Sequence, residues 1–208
     1  MMDPSSVWIG PSVAISEDVT IDPFVQIWGR TSIGRGSHIG GFSILRNMTL
    51  SEGTDVVSHA VLSDSRLEKG SRAGPFVVLR DGAVLEEESL AGKFVEIKKS
   101  TLGKRSKTPH LSYLGDAAVG EDTNIGAGTI TCNYDGRRKN PTRIGNRCFI
   151  GSDTMLVAPV EVKDDAFTAA GSVISRTVPE GSLGVGRSHQ KNIEGWAQRK
   201  KHNEETQK

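Results

Sequence analysis

Cysteine is scarce in this chain of 208 residues: there are two, Cys132 and Cys148. The pair makes neither a zinc motif nor a disulfide framework, so both read as reduced thiols of a cytoplasmic protein. Histidine is thin as well. The five, His38, His59, His110, His189 and His202, are scattered, which argues against a clustered zinc centre and predicts no metal requirement. Aromatic residues are 5% of the chain and hydrophobic residues 36%, which suits a narrow core. No apolar run is long enough to span a bilayer, and MMDPSSVWIG does not read as a signal peptide. Lys plus Arg number 26 against 25 for Asp plus Glu, so neither sign of charge points to nucleic acid or a membrane surface. There is no convincing GxGxxG phosphate loop.

What the chain has in quantity is glycine, 24 residues, and a short repeat. Ile9, Ile15, Ile21, Ile27, Ile33, Ile39 and Leu45 stand six apart, each with a small or β-branched residue two positions earlier. The register slips by one at Leu50 and again at Leu67. It then continues through Leu79, Leu85, Ile97, Leu102, Leu114, Ile125, Ile150, Leu156 and Ile174. A period of six is neither helical nor a simple strand alternation. It fits three short flat strands per coil, each giving one aliphatic residue to an axial core. The expected fold is all-β, a parallel β-helix of hexapeptide repeats, with coils of about 18 residues and roughly ten of them. Such solenoids coil left-handed, a hand implied by the likeness and not by the spacing. Between Thr131 and Ile144 the gap is 13, and the insert, around CNYDGRRKNPT, is polar and basic. It predicts an extruded loop near 132–143 with too few apolar residues to fold on itself, on the working face. The β-helix is expected over 1–188. A charged arm and tail follow over 189–208, with Trp196 pinning the arm to the solenoid.

The motifs GPF-x-x-LR, FVE-[IM]-KK, H-L-x-Y-LGD, N-IGAGTITCNYDG and IGSDT-x-LVAPV all occur between Gly74 and Trp196. Together they resemble the acetyltransferase half of the bacterial bifunctional uridyltransferase/glucosamine-1-phosphate acetyltransferase, which serves UDP-N-acetylglucosamine synthesis. The likeness extends more weakly, in register, to Asp3. It implies acetyl transfer from acetyl-CoA to glucosamine 1-phosphate in a cytoplasmic homotrimer with sites between subunits. The family's nucleotidyltransferase domain is not matched, so no uridylyl transfer is expected of this chain. A non-catalytic scaffolding β-helix, or an acyltransferase with another acceptor, are the alternatives.

The resemblance places the general base at His110, which by itself reads as a solvated loop histidine. An imidazole suits proton removal from an amine near neutral pH. Glu96, otherwise an ordinary ion-pair partner, is implied to hold the other ring nitrogen. Arg80 and Lys98 are 18 residues apart, one coil, so they should stack. Two stacked cations want an anion between them, and a substrate phosphate fits. By resemblance Tyr113, Asn124 and Lys139 also contact the sugar phosphate, with Lys139 reaching it from a neighbouring subunit. The acetyl-CoA arm is implied to run past Ala127, Asn133, Tyr134, Ser152 and Ala170, with Arg187 facing its phosphates. Ala127 and Ala170 would otherwise be plain corner packing. A backbone N–H there would stabilise an oxyanion.

Overall fold

The computed structural model describes residues 1 and 3–200. The chain winds as a left-handed parallel β-helix of about 10 turns. Three faces rise side by side. The first runs from Trp8–Ile9 to Val173–Ile174, the second from Ala14–Ile15 to Val160–Val162, and the third from Thr20–Ile21 to Leu183–Gly184. The second is a separate sheet of 9 strands. The first and third join because the two long strands Leu90–Lys98 and Lys107–Gly115 pass through the corner between them.

The six-residue repeat fills the axis. Ile21, Ile27, Ile33, Ile39, Leu45, Leu79 and Ile97 are each no more than 1% exposed. From Val25 onward the small residues two places earlier are buried too, and hydroxyls among them bond to the backbone: Thr31 donates to the Trp28 carbonyl at 2.7 Å. Burying each such aliphatic side chain stabilises by about 1.5–3 kcal/mol. Ile9 and Ile15 depart from the pattern at 38% and 37% exposed, and among the described residues each pairs on one side only, with Ile27 and Ile33.

The register slips have a backbone cause. Leu45 and Leu50, Leu62 and Leu67, Ile97 and Leu102, and Leu114 and Val119 are five apart. Between each pair the corner holds one left-handed residue: Asn47 (φ 51), Asp64 (φ 47), Lys99 (φ 49) and Asp116 (φ 51). Asn and Asp tolerate that conformation better than other side chains. Between Leu79 and Leu85 two such residues, Asp81 and Gly82, restore the spacing of six. Coils therefore take either 18 residues, as from Leu79 to Ile97, or 17, as from Ile97 to Leu114.

Thr131 pairs with Leu156, 25 residues on, so the predicted insert leaves the wall here. It folds more fully than its composition suggests. Tyr134 and Lys139 make an antiparallel bridge, and Asp135 accepts from the backbone N–H groups of Arg137 and Arg138 and from the Asn140 side chain. The hydrogen bonds from Arg138, Asn140 and Arg137 pull the Asp135 carboxyl down to about 2. Polar bonding does what apolar packing could not.

The arm departs from expectation. After Leu183–Gly184, residues 187–200 are exposed, and Trp196, at 63%, touches no part of the solenoid that would bury it. Trp196 does not pin the arm within this chain. The expected tail beyond Lys200 lies outside the described residues.

One cross-brace gives a pH prediction. His38 sits between two carboxylates, with Nδ1 2.9 Å from Asp55 and Nε2 3.1 Å from Asp22. Both ring nitrogens can donate only when the imidazole is charged. Burial opposes that charge, but the two carboxylates outweigh it and raise the His38 pKa above the ordinary value. The folded state therefore gains stability from His38 below pH about 6.5, and loses it as pH rises through the raised pKa. The melting temperature should fall between pH 6 and 8 by a small amount, since the pair is partly solvated. His38→Gln should flatten that slope; an unchanged slope would exclude the brace as its source.

Candidate active site

Face one carries a cluster of cations over the middle coils. Arg80 and Lys98 are register partners on adjacent strands, stacked as their spacing predicts. Each already has an anionic partner. Arg80 donates to Glu96 through Nε at 2.8 Å and through a terminal nitrogen at 2.7 Å, and to Asp81 at 2.8 Å. The Glu96 hydrogen bond holds the Arg80 pKa above its ordinary value. Lys98, buried, donates to Asp116 at 3.2 Å. Asp116 also accepts from Asn133 Nδ2 at 2.7 Å, and that nitrogen lies 3.5 Å from the Tyr113 hydroxyl.

Lys139 joins this cluster from the extruded hairpin of its own chain. It adjoins Lys98, and that contact raises the Lys98 pKa while it lowers that of Lys139. A phosphate entering here would meet both ammonium groups. Within one chain Lys139 lies beside Lys98, on the same edge as Arg80. The hairpin is anchored so close to Lys98 that it folds back onto its own wall.

Glycine makes room at the centre. Gly115 follows Lys98 in register, and a Cβ there would lie 2.3 Å from the Tyr113 hydroxyl and 2.6 Å from Asn133 Nδ2. Any larger residue would push both polar groups out of place.

His110 lies elsewhere, exposed at the corner between the third and first faces. Its register partner is Lys93, and a Cβ on the neighbouring Gly92 would strike the Pro109 carbonyl at 2.0 Å, so the coils touch closely here. Glu96 pairs in register with Tyr113 instead. No hydrogen bond joins Glu96 to His110 among the described residues, and the Glu96 carboxylate is occupied by Arg80. The expected histidine–carboxylate pair is therefore not formed, because His110 is at the corner and Glu96 is out on the face. A groove of 480 Å³ is lined by Phe76, Phe94, Glu96, Leu111, Tyr113 and Gly128. His110 and Tyr113 are three residues apart, so their backbones are at most about 10 Å from each other.

The corner column continues upward from His110. The Gly128 N–H donates to the Leu111 carbonyl at 2.7 Å, Asp153 to Ala127 at 2.7 Å, and Gly171 to Ser152 at 2.8 Å. Ala127, Ser152 and Ala170 therefore stack on successive coils above His110, about 4.8 Å apart. The backbone N–H groups of these three residues have no protein acceptor among the described residues. Arg187 lies at the top of the column, its Cδ 3.8 Å from where a Cβ on Gly171 would sit.

The candidate residues thus divide. Arg80, Glu96, Lys98, Tyr113, Asn133 and Lys139 meet on one edge of the first face. His110, Ala127, Ser152, Ala170 and Arg187 line the opposite corner. Asn133, expected beside acetyl-CoA, is 6% exposed and sits with the cations. Tyr134 is 61% exposed on the hairpin. Asn124 is on the third face, paired with Lys107 and Phe149. Asp116, Asp81 and Gly115 were missed as parts of the cluster, although Gly115 and Asp116 are the last residues of H-L-x-Y-LGD. A concavity of 570 Å³ around Arg143, Asn146, Glu161 and Lys163 is lined by none of the candidates. Its Asn146 and Asp164 bond to each other, so chemistry favours the groove.

Comparison with known proteins fits this geometry. Residues 12–47 match the bacterial transferase hexapeptide (six repeats), and 141–176 match the hexapeptide repeat of succinyl-transferase. The fold is that of the UDP-N-acetylglucosamine acyltransferase LpxA from Bacteroides fragilis. The TM-score is 0.68 at 17% identity, covering 97% of this chain and 78% of that one. The corresponding Arabidopsis enzyme gives a TM-score of 0.63 at 13% identity, covering 95% and 76%. The chain is a hexapeptide-repeat β-helix of the transferase class. Its sequence is 52% identical over 200 residues to the bifunctional protein GlmU of Thermus thermophilus, covering 96% of this chain and 44% of that protein. It is 46% identical over 202 residues to GlmU of Corynebacterium glutamicum, covering 97% and 41%. The chain is a homologue of GlmU and matches its acetyltransferase domain, spanning less than half the length of these relatives.

Proposed function

We propose that the chain transfers acetyl from acetyl-CoA to the amine of glucosamine 1-phosphate, giving N-acetylglucosamine 1-phosphate. The observation that carries this is the stack of Arg80 on Lys98 beside Tyr113, with Lys139 adjoining Lys98, which gathers three cations on one edge of the first face. An acceptor phosphate complements them. His110 takes the proton from the attacking amine as the N–C bond forms. The C–S bond then breaks and the CoA sulfur leaves as thiolate. The attack is direct, with no acyl-enzyme. The unpaired N–H groups of Ala127, Ser152 and Ala170 suit the amide carbonyls of the coenzyme arm and the developing oxyanion. Arg187 faces the coenzyme phosphates. Glu96 holds Arg80 and is assigned to acceptor binding. No metal takes part, and the reaction is assigned to the cytoplasm.

The working unit is a homotrimer. The outer side of the first face presents Trp8, Ile44 and Val61, 38–48% exposed, beside an exposed stack of Phe24, Phe42, His59, Phe76 and Phe94. Copies of the same chain cover this strip. They also bring Asn124, Tyr134 and the arm residues Ile193 and Trp196 to a site their own chain does not offer them. The deciding assay measures thiol release from acetyl-CoA, in EDTA, with glucosamine 1-phosphate or plain glucosamine. Release with the phosphorylated sugar alone supports the reading. Equal rates would point to an acceptor without phosphate, and loss of activity in EDTA restored by one divalent ion would overturn the metal-free assignment.

Arg80→Ala should raise the acceptor KM roughly tenfold to a hundredfold, the worth of a charge-assisted hydrogen bond of about 1.5–3 kcal/mol. The acetyl-CoA KM should hardly move. A rise in that constant instead would place Arg80 against CoA.

A further inference from the structure

We propose that Asp116 is the positioning residue of the acceptor-phosphate site: it holds Lys98 and the neck of the 133–142 loop, so that Lys98 and Lys139 face one anion. The inference rests on the functional reading above and adds a residue that reading does not use.

Three observations converge on Asp116. Its side chain, 12% exposed, accepts from Lys98 at 3.2 Å and from Asn133 at 2.7 Å, and Lys99 Nζ lies 3.8 Å away. Its main chain ties the same places. The Asp116 N–H donates to the Lys98 carbonyl at 3.1 Å, and its own carbonyl accepts from the Thr142 N–H at 3.2 Å. Asn133 opens the extruded loop and Thr142 is where the chain rejoins the wall. The Asn140 N–H donates to the Asn133 carbonyl at 2.7 Å and closes the neck between them. One residue thus fixes Lys98 on the wall and both ends of the loop that carries Lys139. It occupies a left-handed corner (φ 51), where Asp is tolerated and most side chains are strained.

The charge of Asp116 cuts the other way. A buried carboxylate beside a phosphate site repels the phosphate. If that repulsion were its whole effect, neutralising Asp116 would tighten acceptor binding. If Asp116 positions the two lysines, neutralising it weakens binding, because an ammonium that wanders forfeits a charge-assisted bond. The sign of the change therefore separates the two roles. Burial works against the Asp116 charge, but hydrogen bonds from Asn133 and Lys98 outweigh it and keep its pKa low. It is ionised throughout the working range.

The test is titration calorimetry of Asp116→Asn with glucosamine 1-phosphate and, separately, with acetyl-CoA. Asparagine keeps the shape and tolerates the left-handed corner. Asp64→Asn, at the equivalent corner three coils earlier (φ 47), serves as the structural control. The Kd for glucosamine 1-phosphate should rise at least about tenfold, with acetyl-CoA binding and melting temperature as in the control. Acceptor affinity should also fall off at lower pH than in the wild type, since Lys98 has lost the carboxylate that helps it stay charged. Unchanged or tighter acceptor binding overturns the proposal. So does an equal loss for both ligands, which would mark a general structural role. If Asp116→Asn does not fold, Asn133→Ala cuts the same tie to the loop and should give the same selective loss; its absence there counts equally against the proposal. A wild-type chain that binds acetyl-CoA but not glucosamine 1-phosphate overturns the functional reading itself, and this inference with it.

Discussion

His110→Ala should lower turnover by about 10²–10⁴ at saturating substrates, the usual contribution of a general base. The residue is exposed at its corner and makes no side-chain hydrogen bond among the described residues, so its loss should leave folding intact. It sits directly below the column of Ala127, Ser152 and Ala170, where the unpaired N–H groups suit a thioester carbonyl. Both KM values should change little, because the base acts on the transition state more than on bound substrates. Glu96→Ala makes the contrast. Its carboxylate grips Arg80, so its removal should act chiefly on the acceptor KM. Near-normal turnover in His110→Ala would remove the base from the scheme. A Glu96→Ala variant as slow as His110→Ala, with normal KM values, would restore the histidine–carboxylate pair that the structure does not form.

The second large effect should come from Val61→Asp. Val61 is 47% exposed on the first face, beside the stack of Phe42, His59 and Phe76, so one folded chain accommodates aspartate there without strain. In the proposed trimer the same side chain is covered. An ionised carboxylate buried without a partner costs several kcal/mol, and each trimer holds three. Sedimentation should shift from the mass of three chains to that of one at micromolar concentration. Acetyl transfer should fall in step, because Asn124, on the third face, cannot reach the cation cluster of its own chain. A wild-type chain that sediments as a monomer would end the trimer assignment. So would a Val61→Asp variant that stays trimeric and active, since some other surface would then join the copies.

The axial core was legible residue by residue. Ile21 to Leu45 could be assigned inward from spacing alone, because every sixth residue faces the axis whatever the rest of the coil does. The slips at Leu50 and Leu67 were visible as well, but their cause was not. A corner one residue shorter demands a left-handed residue such as Asn47 or Asp64, and that conformation is a property of the closed coil. The stack of Arg80 on Lys98 followed from the coil length, since parallel in-register pairing preserves it. Their partners did not follow. Glu96 and Asp116 are 16 and 18 residues from the cations they bind, and outward side chains choose among several neighbours at similar distance.

By itself the sequence determined the repeat, the fold, the place where the wall opens between Thr131 and Ile144, and the residue types able to bind phosphate and move a proton. Period and composition are local properties, and a solenoid converts them directly into geometry, because each coil contacts only its neighbours. Only the tertiary structure decided which edge of the face each candidate occupies. It paired Glu96 with Arg80 and left His110 at the corner, and it seated Lys139 on the wall of its own chain. It also made Asp116 the tie between Lys98 and the loop. Those choices turn on corner conformation and on the polar bonds that fold the hairpin back, and neither leaves a period in the sequence to read.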